Sequence, residues 1–270
     1  MGGIGPAVKE NLIHHGADAE YVEFKETFKD EFGYRRTLFK AAERLRPDLI
    51  LSVGNPLFPA RLRGELAERF PDISILSETE EKTALLESKV RFYRYADSLG
   101  ILQPRIFDNP EEIPEGIGII FKRDFSYGGH GVHRPTSAAA LRNLIDHQSP
   151  GEPYLIEELI EGTVFSVDVV RLGGIAEASS YRTDSSRGFC GPAIKRTAER
   201  HPGIERIAVG ILERLDFNGI CGFDFIVAAD GLPYLLEANP RFTGGISTQI
   251  EAGFEIPFKI WLYLQKNGKL

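Results

Sequence analysis

The stretch from Cys221 to Gly245, CGFDFIVAADGLPYLLEANPRFTGG, carries three oxygen-ligating side chains inside two otherwise apolar runs: Asp224, Glu237 and Asn239. Asp230-Gly231 between alternating apolar segments predicts a two-residue hairpin turn. That turn would set Ala229 opposite Leu232 and, counting outward, Asp224 opposite Glu237. Side chains alternate along a strand, so Glu237 and Asn239 share a face. Facing carboxylates destabilise a sheet unless a positive charge lies between them. An oxygen-only donor set suits a hard cation, Mg2+ (or Mn2+), with phosphate oxygens completing the shell. The competing reading is a solvent-facing hairpin with unrelated acids, against which Phe223, Phe225, Leu235 and Leu236 argue for burial.

A second constellation lies upstream. Lys122 ends the apolar run GIGIIFK and is followed by RDFSYGGHGV. A lysine at a strand end before a flexible loop can set an ammonium and several backbone N–H groups around phosphate oxygens. Gly128, Gly129 and Gly131 allow the backbone to come close. The G-K-[ST] ending and following helix of a P-loop are absent, and an ordinary hairpin turn with a surface lysine has the same pattern. His130 is a candidate phosphate or substrate contact, or a solvated loop histidine. The strand pattern YLIEELIEG (Tyr154–Gly162) runs into Glu157 and Glu158 and stays apolar at Leu159 and Ile160. Backbone groups at such an edge can read a purine, with a carboxylate accepting from its exocyclic amine. Paired glutamates facing water are the alternative.

The elements that would position these groups follow from periodicity. Residues 1–76 alternate helix and strand patterns, which predicts an open parallel α/β sheet. Helices are expected from Pro6, placed at N1, towards Gly16, over YRRTLFKAAERLR and over RLRGELAERF. Strands are expected at EYVEF, DLILSVG and ISIL. The glycine-rich turn GGIGPA has only Met1 before it, so a dinucleotide fingerprint, which needs a preceding strand, is not expected. Either the first strand is lost or the start lies upstream. Ser77 and Glu80 make a capping-box pattern, and a helix is expected over Ser88–Leu99. A strand near Arg105–Asp108, the strand at GIGIIFK, another after the glycine loop and a helix at SAAALRNLIDHQ come next. After PYLIEELI, strands are expected at Val164–Arg171 and Ile175–Arg182, then a helix at IERIAVGILERL. The hairpin and a helix near Ile256–Gln265 close the chain.

Composition sets the outer limits. The chain has 270 residues, 42% hydrophobic and 26% charged, an ordinary globular balance with room for two or three subdomains. A net charge of −7 gives no support for nucleic-acid binding. Cys190 and Cys221 lie 31 positions apart without metal spacing, so a reduced, cytoplasmic setting is expected. No apolar run is long enough to span a membrane, and no charged-then-apolar leader pattern opens the sequence.

Taken in order, these segments resemble the ATP-grasp superfamily, most strongly its carboxylate-amine ligase and carbamoyl-phosphate-synthase-like branches. The resemblance covers about Thr79 to the C-terminus. It rests on Lys89 in ESKVRFYRYADSLGILQP, Lys122 with its glycine loop, the hinge IEELIEG, GFDF and LLEANPRFTGG. It implies an α/β chain, α+β in its C-terminal part: two α+β lobes gripping ATP, after a short parallel α/β domain lacking its usual first strand. The expected domains are 1–77, 78–156 with the helical entry and glycine loop, and 157–270 with the metal site.

The same resemblance implies roles. Lys89 and Lys122 would hold the α- and β-phosphates, and the Gly128–Gly131 loop would close over the triphosphate. Glu157 would receive the adenine amino group, with backbone contacts from the hinge at Glu158, Leu159 and Ile160. Asp224, Glu237 and Asn239 would hold Mg2+, and Arg241 would steady the transferred phosphoryl group. Two positions depart from the pattern: Val164 stands where many relatives have an acidic ribose ligand, and Arg123-Asp124 replaces a common proline.

The implied reaction is ADP-forming activation of a carboxylate as an acyl phosphate, which an amine then attacks. Small-molecule carboxylate and amine substrates are the expected partners, with neither nucleic acid nor membrane, and with a homodimer left open. Arg182, Arg187 and Lys195 are candidate substrate-carboxylate contacts, or solvated loop charges, and Cys190 lies near the expected substrate side. Rival readings are bicarbonate activation as a carbamoyl-phosphate-synthase-like subunit needing a partner, a non-catalytic ATP-binding module, and a phosphotransferase.

Overall fold

The amphipathic N-terminal stretches fold as their periodicity dictates, with shifted ends. In the computed structural model, which describes residues 3–23, 30–189, 191 and 193–268, α1 spans Ile4–His14. Pro6 is therefore the third helical residue rather than the first. Helix α2 (Glu31–Leu45) opens on Asp30, whose carboxylate accepts from the Gly33 N–H. Strand β1 (Leu49–Leu51), α3 (Leu57–Arg69) and β2 (Ser74–Leu76) follow. β1 and β2 pair in parallel, as expected. The strand expected at EYVEF is not formed over Glu20–Glu23, and Phe24 lies outside the described residues. A cavity of about 650 Å3 runs beside β1, lined by Leu49, Leu51, Tyr34 and Trp261 among others.

Helices α4 (Glu80–Glu87) and α5 (Lys89–Ser98) come next. Thr79, not Ser77, caps α4: its backbone is extended and its hydroxyl accepts from the Lys82 N–H, whereas the Ser77 hydroxyl donates to the Glu78 carbonyl. Ser88 caps α5 through the Arg91 N–H. The strand expected near Arg105–Asp108 shrinks to one bridge, Ile106 to Glu157. Strands β3 (Ile119–Arg123), β4 (Val132–His133) and β5 (Tyr154–Glu158) form an antiparallel sheet in the order β4-β3-β5, with α6 (Ala138–Asp146) between β4 and β5 in sequence.

The larger sheet has the order β10-β9-β6-β7-β8. Its strands are β6 (Gly162–Leu172), β7 (Ile175–Ser186), β8 (Ala193–Ala198), β9 (Gly219–Ala228) and β10 (Pro233–Asn239). Helix α7 (Pro202–Leu215) precedes β9, and α8 (Ile246–Glu251) and α9 (Ile256–Asn267) end the chain. β8 arises from a segment whose sequence reads as irregular, and α8 has no expected counterpart.

Alternation along these strands sorts the two faces. Phe165, Val167, Val169, Phe223, Phe225 and Leu235 pack with Ile204, Ala208, Ile211 and Leu212 of α7 and with Leu86, Phe92 and Ala96 of α4 and α5. Each of the larger of these side chains contributes roughly 1.5–3 kcal/mol by burial. The residues between them, Ser166, Asp168, Asp224, Glu237 and Asn239, are consigned to the other face. At the far end of the sheet, Val170, Leu172 and Ile220 pack with Val8 of α1, Ile246 of α8 and Ile260 of α9.

Candidate active site

β9 and β10 set Asp224 opposite Glu237, by a route that the turn count does not give. The Ala228 N–H donates to the Leu232 carbonyl (3.0 Å) and the Gly231 N–H to the Ala228 carbonyl (2.9 Å). Gly231 has φ +83°, the left-handed residue of a three-residue turn. Ala229 therefore does not face Leu232, and the register runs one residue short, with Leu235 opposite Phe225. A β-bulge at Leu236 then adds one residue and restores the pairing of Glu237 with Asp224. Asn239 falls opposite Gly222.

The three side chains form one polar row. The Ser166 hydroxyl donates to Asp224, and Asn239 Nδ2 donates to Glu237 Oε1 (3.3 Å). Burial first, and then the charge of Glu237, push the Asp224 carboxyl up to about 7. Burial also raises Glu237, but Lys89 and Lys122 overcome it and leave this carboxyl below its ordinary value. The positive charge of the lysines thus bears on Glu237, and Asp224 has no cation among the causes that act on it most. Among the described residues no three His, Cys, Asp or Glu side chains are arranged to hold a metal. Two carboxylates and an amide are nevertheless a hard, oxygen-only set, which fits Mg2+ when a ligand's oxygens complete the shell.

Three cations surround this row. Lys89, the first residue of α5, has its ammonium 3.3 Å from Glu237 Oε2 and donates to the Ser126 carbonyl (3.1 Å). Lys122 lies 2.6 Å from Glu157 Oε1 and 3.5 Å from the carbonyl of the bulged Leu236. Arg241 donates to Asn239 Oδ1 (2.7 Å) and lies over the Tyr127 ring. Tyr127 belongs to the glycine loop, and its hydroxyl donates to Glu87 (2.6 Å). Burial raises the Glu87 carboxyl, against the pull of Arg241 and Lys89. Gly128 and Gly129, at φ +61° and +78°, turn the loop back within two residues. Gly131 closes the turn beside Ser126, where a Cβ would come within 2.5 Å of the serine Cβ. His130 is exposed on this loop, and its ring has no hydrogen-bond partner among the described residues.

Asp124, in the position that departs from the usual proline, accepts from the Ser88 hydroxyl (2.9 Å) and the Val90 N–H (2.8 Å). It ties the loop entry to the first turn of α5 and so fixes Lys89.

The hinge carboxylate already has partners within the chain. Glu157 is buried, and both its oxygens are engaged, one by Lys122 and the other by the Tyr93 hydroxyl (2.6 Å). Its carboxylate is the counter-ion of Lys122. The Glu158 N–H donates to the Arg105 carbonyl and the Leu159 N–H to the Gly118 carbonyl. The Ile160 N–H has no partner among the described residues.

Of the basic groups expected to meet a substrate, Arg182 and Lys195 face away from the row of Asp224, Glu237 and Asn239. Arg182 pairs with Phe165 across β6, on the face packed against α7, and forms ion pairs with Asp184 and Glu199. Lys195 shares Asp184 at 4.0 Å. Arg187 is exposed beyond β7, and Cys190 lies outside the described residues. Tyr181, one residue before Arg182, points the other way: its hydroxyl reaches Thr243 Oγ1 (3.2 Å). Thr243 in turn donates to Asp168 Oδ1 (2.9 Å), while Asp168 Oδ2 is buried without a partner. Gly222 makes room for this contact, since a Cβ there would meet Thr243 Cγ2 at 2.2 Å. Ser166 and Asp168 left a readable signal, two polar residues at period two inside the apolar run FSVDVV. Tyr93, Glu87 and Tyr127 left none, because only the tertiary fold brings them to the lysines.

Residues 151–269 match the family model described as ATP-grasp in the biosynthetic pathway with Ter operon. The arginine-specific carbamoyl phosphate synthase large chain of Geobacillus stearothermophilus is 27% identical over 186 residues, which are 63% of this chain and 18% of that protein. The large chain from Xanthomonas campestris is 26% identical over 195 residues, with the same two coverages. The chain thus spans less than a fifth of these curated relatives. Among solved structures, a biotin carboxylase–β,γ-ATP complex from Campylobacter jejuni superposes with a TM-score of 0.74 at 15% identity, covering 94% of this chain and 67% of that one. An L-amino acid ligase from Bacillus licheniformis gives 0.61 at 16% identity, covering 90% and 66%. These structural likenesses concern the fold. No helix among the described residues is long and apolar enough to cross a membrane.

Proposed function

From the premise that this chain is an ATP-grasp superfamily protein, we propose that it activates a carboxylate with ATP and passes the acyl group to an amine. The observation that carries this reading is the row of Asp224, Glu237 and Asn239 flanked by Lys89, Lys122 and Arg241. A substrate carboxylate oxygen attacks the γ-phosphorus, the bond from phosphorus to the ADP oxygen breaks, and an acyl phosphate forms. The amine nitrogen then attacks the acyl carbon, releases inorganic phosphate and loses its proton to solvent.

Within this reading Lys89 and Lys122 neutralise phosphate oxygens, and Arg241 steadies the phosphoryl group as charge shifts between its oxygens. Asp224, Glu237 and Asn239 would hold Mg2+, which when bound neutralises charge on the same phosphates. The loop carrying Tyr127, Gly128 and Gly129 covers the site and keeps water from the acyl phosphate. The unpartnered Ile160 N–H offers adenine a backbone donor.

The carbamoyl phosphate synthase relatives favour a second reading, in which bicarbonate is the activated acid and a separate partner completes the activity.

The deciding experiment traps the acyl phosphate. Protein, Mg2+ and ATP are incubated with hydroxylamine and a panel of acids, and hydroxamate and ADP are measured. Hydroxamate formed from one acid supports the ligase reading; ADP released with bicarbonate alone supports the second. Asp224→Asn is expected to lower Mg2+-dependent turnover at least ~100-fold, the scale on which single electrostatic groups act in catalysis. Unchanged turnover with native circular dichroism removes the metal assignment.

A further inference from the structure

The site face carries one guanidinium more than the phosphoryl chemistry uses. Arg196 stands on β8 opposite Thr183, and its neighbours two residues away, Ala198 on β8 and Tyr181 on β7, form the next pair on the same face. Strand alternation therefore puts Arg196 on the side that bears Asp224 and Glu237. Lys195 and Arg182 belong instead to the Asp184 network on the reverse side. The guanidinium of Arg196 lies over the loop that follows Arg241: a Cβ on Gly244 would come within 3.0 Å of its Nη2.

What singles out Arg196 is the lack of a partner. It is half-buried, and it makes no hydrogen bond or ion pair with any described residue. The other strand arginines of this sheet are matched, Arg171 to Asp216 and Arg182 to Asp184 and Glu199. Asp168 is near enough for Arg196 to favour its charged form, yet burial prevails and the two do not pair. Arg241 also keeps a buried Nε without a partner. Arg241 and Arg196 both lie near enough to Asp168 to favour its charged form, and each has donors to spare. A guanidinium fork matches a carboxylate in both charge and shape.

We propose that Arg196 binds a second, non-reacting carboxylate of the acid substrate, so that dicarboxylic acids, acidic amino acids among them, are the preferred acids of this chain. The proposal rests on the acyl-phosphate reading above. Arg241 serves the end of the acid that takes the phosphoryl group, and Arg196 holds the other end. Bicarbonate and simple monocarboxylates leave Arg196 unmatched.

The test uses the whole chain with Mg2+, ATP and hydroxylamine. One set of acids carries two carboxylates: succinate, glutarate, L-aspartate and L-glutamate. The other carries one: acetate, butyrate and bicarbonate. At least one dicarboxylate is expected to show kcat/KM about tenfold or more above every acid of the second set, which is the discrimination of one charged hydrogen-bonded pair. Arg196→Gln is expected to raise the KM for that dicarboxylate by about the same factor, more than it lowers kcat. Arg196→Lys, which keeps the charge without the fork, should recover part of the loss.

A one-carboxylate acid turned over best overturns the proposal and leaves the ligase reading standing. So does an Arg196→Gln variant with unchanged KM. A variant with lower kcat and melting temperature but the same KM assigns Arg196 to balancing Asp168, and overturns the proposal as well. Silence with every acid removes the ligase reading, and the proposal with it.

Discussion

Asp168 shows how burial alone sets the acid–base behaviour of a single group. It is 1% exposed. Burial outweighs the Thr243 hydrogen bond and the nearby Arg196 and Arg241, and lifts its carboxyl from 3.8 to about 6. The folded chain therefore keeps a proton that the unfolded chain releases between those two values. Stability linked to this group is fully present below the lower value and declines as pH rises through the interval, the reverse of a salt-bridged acid. Asp168→Asn retains an acceptor for Thr243 and removes the charge. It is expected to flatten the decline and to stabilise the protein near neutral pH by up to ~3 kcal/mol. Thermal melts of both proteins from about pH 4 to 8 check this; parallel curves would contradict it.

At the scale of elements, the hairpin of β9 and β10 reaches the pairing of Asp224 with Glu237 through two deviations that cancel. The three-residue turn shortens the register by one, and the bulge at Leu236 gives it back. The bulge also takes the Leu236 carbonyl out of the ladder and directs it at the Lys122 ammonium (3.5 Å). Deleting Leu236 should keep Asp224 opposite Glu237, because the short register also pairs those two positions once the extra residue is gone. What it removes is the carbonyl contact. The expected result is a folded protein whose KM for ATP rises about fivefold, the worth of roughly 1 kcal/mol. Steady-state kinetics with a folding check measures it, and an unchanged KM would make the bulge a device of twist alone.

The facing of Asp224 and Glu237 was thus legible in sequence, while the path to it was not. Alternation in a strand is local and readable; a turn of two residues or three, and a bulge that compensates, are settled by how Phe225 and Leu235 seat in the core. The same limit explains Arg182. The segment after it reads as irregular, yet it forms β8, and pairing with β7 turns Arg182 and Lys195 to one side and Arg196 to the other. Parity can be counted only once a strand is known to exist. The partners of Glu157 were unreadable for another reason: Tyr93 lies 64 positions away and shows no pattern linking the two.

At the scale of the molecule, the first helix belongs with the last ones. α1 packs through Val8 against Ile246 of α8 and Ile260 of α9. Between α1 and α4, helices α2 and α3 share a small core of their own, with Leu38, Phe39, Leu62, Leu66 and Phe70. The sheet there is two short strands beside a cavity of about 650 Å3. That region has a small core and a cavity at its flank, and should open before the large sheet. Hydrogen exchange followed by mass spectrometry is expected to label α2 and α3 well before α1 and β9. Simultaneous labelling would mean one cooperative unit.

Because α1 stays docked, such an opening frees a loop held at both ends rather than a dangling terminus. With both ends held, the melted segment searches a restricted space, and a longer or shorter segment would change the closure entropy only as the logarithm of its length. The docking of α1 at the far end of the large sheet therefore acts as a kinetic tether: it keeps a loosely packed segment local, and lets it reclose without the active-site sheet coming apart.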